Sequence, residues 1–146
     1  MSKLDGTKKA YDQITTLLDQ EIRKRSGSSK NLQEFREVVD VAFYLLGWAQ
    51  FEYLVRKEAE RLVDGNATTK TVDKHAWNYL KENVKSLTVR KRLDLIFHSK
   101  DKTRNALDKD YSVRNEAAHN YKKLPPEARE LSEWLMKLEK IVDEFD

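Results

Sequence analysis

The residues best suited to chemistry lie in one stretch, Arg114 to Tyr121, which holds a guanidinium, an amide, an imidazole and a phenol. On an α-helix, Asn115 and His119 are four residues apart and lie on one face. Arg114 and Tyr121 are seven apart and share the neighbouring face where the helix extends that far. Arginine grips phosphate oxygens and histidine exchanges protons near neutral pH, so this set is suited to a phosphodiester.

Spacing alone leaves a second interpretation open, a solvated helix edge whose histidine lies near an arginine by chance. The stretch Arg114-Asn115-x-x-x-His119 resembles the R-x4-6-H signature of HEPN domains, with the polar residue that the family favours after the arginine. Tyr121 makes it similar to the R-x4-H-x-Y variant of HEPN toxins that pair with nucleotidyltransferases. The helical pattern around the motif fits the family over most of the chain. The resemblance implies an all-α, up-and-down bundle of about five helices, as one domain over residues 1–146.

The resemblance also implies roles for the four residues. Arg114 would bind the phosphate, His119 would act as acid or base, and Asn115 would position the reacting groups. Tyr121 would contact phosphate or, where a nucleotidyltransferase-like antitoxin exists, accept AMP on its hydroxyl. RNA needs no metal or other cofactor to be cut, because its own 2′-OH can attack the adjacent phosphorus. One helix supplies one histidine, so a homodimer with facing motifs, as HEPN proteins form, would supply two.

Two alternatives belong to other function classes. HEPN-like domains also serve as non-catalytic dimeric modules that bind a partner protein or a nucleotide, and a fold alone does not decide function. A helical nucleic-acid-binding protein could instead use the basic triplet Arg90-Lys91-Arg92 against an RNA backbone. Such triplets are common on exposed helix faces.

Composition limits the partners and the compartment. The chain has 146 residues, no cysteine and a net charge of +3, which permits an RNA partner without demanding one. Without cysteine it has no disulfide or thiolate metal site, and His75, His98 and His119 lack the paired spacing of a helical zinc site. No apolar run approaches the roughly 18 residues that a membrane span needs, and the first residues lack the apolar core of a signal peptide. We therefore expect a cytoplasmic protein without metal or membrane contact.

The longest expected helix runs from about Asn31 to Val63 and carries apolar residues around much of its circumference. So broad a surface predicts packing on two sides, or one side given to a second subunit. Glu52 projects from the apolar face, where a carboxylate needs a partner. It either pairs with Arg56 one turn on, or faces the Arg114–His119 site and orients one of its residues. Gly47 suits a close helix crossing.

The motif helix is expected to begin at Asp110 or Ser112, after a polar connection over residues 98–104. Arg114 and Asn115 would then lie in its first turns, where backbone amides still face outward and meet an anion. A last helix, with Pro126 in its first turn, is expected to carry a regular apolar stripe.

Overall fold

The computed structural model describes residues 3–25, 29–68, 73–120 and 124–145, and every regular element in them is helical. The α-helices are α1 (Lys3–Lys24), α2 (Lys30–Ala67), α3 (Lys74–Asn83), α4 (Val89–Ile96), α5 (Asp101–Asn120) and α6 (Leu131–Val142). Short 3-10 helices cover Val84–Ser86 and Pro126–Ala128. The predicted all-α bundle is confirmed, with six α-helices where the sequence suggested about five.

The described residues fall into two compact units. The first is drawn from Met1–Phe51 and Ser112–Glu144, and the second from Glu52–Tyr111 together with Phe145. Helices α2 and α5 each contribute residues to both. That residues 1–146 make one domain stays a prediction.

The core of the first unit is aromatic. The ring of Trp134 on α6 lies 4.7 Å from that of Tyr44 and 5.6 Å from that of Trp48, both on α2. Gly47 makes this approach possible, because a Cβ there would lie 2.5 Å from Leu135 Cδ2 and 3.1 Å from Trp134 Cζ3. The predicted close crossing at Gly47 is therefore present, between α2 and α6.

Helix α1 lies alongside the first half of α2. Thr7 donates a hydrogen bond to Gln50, and Tyr11 donates to Asp40 Oδ1 at 2.7 Å. The Tyr11 ring also packs on Phe43, with 5.5 Å between centroids. The two helices are therefore joined by buried polar contacts as well as apolar ones.

The second unit has a smaller core around Ala59, Val63 and Val84. Side chains of α3, α4 and their connection pack against it: Trp77, Leu80, Leu87, Leu95 and Ile96. Thr88 caps α4 by accepting a hydrogen bond from the Lys91 amide, as an N-cap threonine does.

The apolar length of helix α2 differs from what the sequence analysis expected about membrane spans. It is the one described helix that length and composition alone would allow to cross a bilayer, and a third of its most apolar window is buried. The expectation that no apolar run approaches a membrane span was therefore too strict. Core helices of globular proteins meet the same criterion.

Candidate functional site

The motif lies at the end of α5, and the expected start of that helix is wrong. α5 begins at Asp101, not at Asp110 or Ser112, so Arg114 and Asn115 lie well inside it and His119 lies in its last turn. Amides inside a helix bond to carbonyls four residues earlier. An anion at Arg114 would therefore meet side chains and not the outward-facing amides of a helix start.

Arg114 and Asn115 are joined directly. The Arg114 Nη1 atom donates to Asn115 Oδ1 at 2.9 Å, and both side chains are half-buried. Neighbouring residues on a helix normally point apart, so this bond draws the guanidinium toward the face that Asn115 occupies. The side chain of Asn115 therefore contacts the guanidinium of Arg114.

His119 is exposed, one turn beyond Asn115 on the same face of α5. His119 lies five positions after Arg114, which corresponds to a rotation of about 140° around the helix. Within one chain, the guanidinium and the imidazole therefore leave the helix in different directions. The amide of Asn115 lies between them along the axis.

The roles predicted for Glu52 and Tyr121 in the site stay predictions. Glu52 belongs to the second unit and is half-buried, with its Oε1 atom shielded from solvent. Arg56, its candidate structural partner, forms an ion pair with Glu60 at 3.1 Å. An orienting role for Glu52 at the motif is not tested by these contacts. Tyr121 lies outside the described residues.

Two residues of the basic triplet on α4 make contacts with other parts of the protein. Arg90 pairs with Asp108 at 3.0 Å and lies over the ring of Tyr111 at 5.6 Å. Arg92 donates to the backbone oxygen of Lys85 at 3.0 Å. Two of the three cations thus hold α4 in place, which weakens the triplet as an RNA-binding surface.

A polar cluster that the sequence analysis did not single out joins α1 and α2. Asp40 accepts from Tyr11 and pairs with Arg36, and Arg36 also reaches Asp19 at 3.3 Å. Burial, followed by the hydrogen bond to Asp40, raises the pKa of Tyr11 to about 12. In the sequence, the one sign of this cluster is the spacing of Arg36 and Asp40, which are four residues apart. No sequence pattern indicates that Tyr11, on another helix, joins them.

Within the described ranges, no three histidine, aspartate or glutamate side chains lie close enough together to hold a metal ion. Comparison with known proteins finds no matching family model, no matching curated protein and no matching solved structure.

Proposed function

We propose that the protein is a metal-independent endoribonuclease of the HEPN type, acting in the cytoplasm. The observation that carries this proposal is the hydrogen bond between Arg114 and Asn115, one helical turn before the exposed His119. It gives an oriented guanidinium and, further along the same helix, an accessible imidazole, which are the two groups that cleavage of a phosphodiester can use. A toxin or a defence effector is the setting that the motif resemblance implies.

The reaction would begin with removal of the proton from an RNA 2′-OH by a histidine. The 2′-oxygen attacks the adjacent phosphorus, the bond from phosphorus to the 5′-oxygen breaks, and an acid protonates that leaving oxygen. The products are a 2′,3′-cyclic phosphate and a free 5′-OH. Arg114 would stabilise the charge that grows on the non-bridging oxygens, since an arginine can bind two of them at once.

Two copies of the chain complete this chemistry more readily than one. Because Arg114 and His119 leave α5 about 140° apart, one helix does not direct both at the same phosphorus. In a homodimer with facing motifs, His119 of one copy would meet the phosphate held by Arg114 of the other. Two histidines would then be available as base and acid.

Tyr121 would be either a further phosphate contact or the hydroxyl that a nucleotidyltransferase-like antitoxin modifies with AMP. Modification there would add a negative charge to the motif and compete with RNA.

The test is RNA cleavage in the presence of EDTA by the wild type and by His119→Ala. We expect the substitution to lower the cleavage rate by about a hundredfold or more, as loss of an acid–base group does. His75→Ala, which removes another exposed histidine, is the control and should leave the rate unchanged. Full activity in a folded His119→Ala protein would refute the proposed mechanism. A folded wild type without turnover that binds a nucleotide or a partner protein would instead indicate the non-catalytic HEPN-like module.

A further inference from the structure

Helix α2 carries an apolar stripe that no described part of the chain covers. Phe35 is 56% exposed, Val38 66% and Leu46 43%, and the side chains of Ala42 and Ala49 are also exposed. All five belong to the first unit and lie within about 80° of one another around the helix. This set, called the α2 stripe, lies opposite the face of α2 that buries Tyr44 and Trp48.

The spacing of the α2 stripe reads the same in both directions. Its members follow one another at intervals of three, four, four and three residues, with Ala42 at the centre. A two-fold axis through Ala42 would place Phe35 opposite Ala49 of a second copy, and Val38 opposite Leu46. Ala42 would face its own counterpart. Large side chains thus meet small or medium ones, as an isologous interface requires, and the central alanine permits a close approach.

Helix α1 widens the same surface. Ile14 is 38% exposed and Leu17 57%. By helical geometry, both lie on the side of the α1–α2 pair that carries the α2 stripe, one and two turns beyond Tyr11.

We propose that the α2 stripe is a homodimer interface, in which α2 of one copy packs antiparallel on α2 of another about a two-fold axis at Ala42. The inference stands apart from the ribonuclease proposal. None of its residues belongs to the Arg114–His119 motif, and its test uses no RNA.

Single cysteines test the register, because the natural chain contains none. In Ala42→Cys the two sulfurs would lie beside the axis, within the range that a disulfide spans. In Ala49→Cys they would be about 21 Å apart along the helices, too far to bond. Under mild oxidation at micromolar concentration, we expect Ala42→Cys to become a covalent dimer and Ala49→Cys to stay uncrosslinked. Equal crosslinking of both, or of neither, would overturn the proposal.

Sedimentation of the unmodified chain tests the interface itself. We expect the wild type to be a dimer and Leu46→Glu to be a monomer with unchanged helical content, since the interface would bury a carboxylate without a partner against Val38 of the other copy. Tyr79→Glu is the matched control, because Tyr79 is 67% exposed on the second unit and outside the stripe. A wild type that is monomeric at high concentration would overturn the proposal. So would a monomer that binds neutral phospholipid vesicles through this face, which would assign the stripe to a membrane surface.

Discussion

At the scale of single residues, the contact between Arg114 and Asn115 changes how the motif is understood. The sequence shows only that the two are adjacent, and adjacency on a helix usually separates side chains. The hydrogen bond between them makes Asn115 a positioning residue for a guanidinium. Hydrogen bonds that involve a charged group contribute more than neutral ones, so this contact should matter to the proposed reaction.

Asn115→Ala should therefore lower RNA cleavage about tenfold, which corresponds to about 1.4 kcal/mol in the activation free energy. The melting temperature should stay close to that of the wild type, because the side chain is half-buried and its partner is solvated in part. Asn105→Ala is the control, since Asn105 is exposed on the same helix. Equal cleavage rates for the two variants would remove the positioning role.

Tyr11 gives a pH-dependent prediction. Its pKa rises from 10.0 to about 12 through burial and the hydrogen bond to Asp40. The folded state therefore holds the phenol proton more tightly than the unfolded chain does. The resulting stabilisation is complete below pH 10 and is lost as the pH rises toward 12.

We expect the free energy of unfolding of the wild type to fall between pH 10 and pH 12 by up to about 2–3 kcal/mol more than that of Tyr11→Phe. Denaturant titrations at several pH values measure this difference. Tyr79→Phe is the control, because Tyr79 lies exposed on the surface, and its curve should follow the wild type. Parallel curves for wild type and Tyr11→Phe would contradict the raised pKa.

At the scale of helices, the sequence predicts the buried elements better than the exposed ones. The breadth of apolar residues on α2 predicted packing on two sides, or one side given to a second subunit, and the structure buries Tyr44, Trp48 and Phe51 on one face of the helix. The first half of α5 was missed, because Leu107 is its one fully buried described residue and a lone apolar residue makes no periodic pattern. That half instead makes electrostatic contacts. Asp101 lies in the first turn, where a negative charge favours a helix, and Arg104 pairs with Asp94 at 2.7 Å.

The same contrast applies to the candidate site. The identity of Arg114, Asn115 and His119 could be proposed from spacing, whereas their place at the end of a long helix could not. The bond from Arg114 to Asn115 depends on one rotamer of each side chain, which no sequence pattern encodes.

The two glycines of α2 allow a matched comparison of glycine-to-alanine substitutions. At Gly47 a methyl group would clash with Leu135 and Trp134, whereas at Gly65 nothing lies within 4 Å. Gly47→Ala should destabilise the protein by about 1–3 kcal/mol through overpacking. Gly65→Ala should stabilise it by up to about 1 kcal/mol, since alanine favours the helix. Thermal unfolding of both variants measures this, and equal shifts of the melting temperature would refute the close crossing.

At the scale of the whole molecule, the proposed site predicts complementation between inactive subunits. If Arg114 of one copy acts with His119 of the other, a mixture of Arg114→Ala and His119→Ala chains should recover activity. Half of randomly exchanged pairs are mixed, and each mixed pair keeps one Arg114–His119 site but only one of the two histidines, so at most about a quarter of wild-type activity is expected. Cleavage assays after subunit exchange test this. Recovered activity would show that Arg114 and His119 of different copies act together, and a mixture as inactive as its components would show that one such pair is not enough for cleavage.

The placement of the aromatic core has a further consequence for optical measurements. Trp48 and Trp134 are buried in the first unit, while Trp77, the third tryptophan of the chain, packs on the core of the second. Fluorescence emission from a Trp77→Phe protein therefore reports on the first unit alone, and emission from a chain that retains only Trp77 reports on the second. Because α2 supplies residues to both units, we expect the two signals to lose their native spectra at one denaturant concentration. Separate midpoints would mean that the unit carrying the Arg114–His119 motif and the other unit unfold independently.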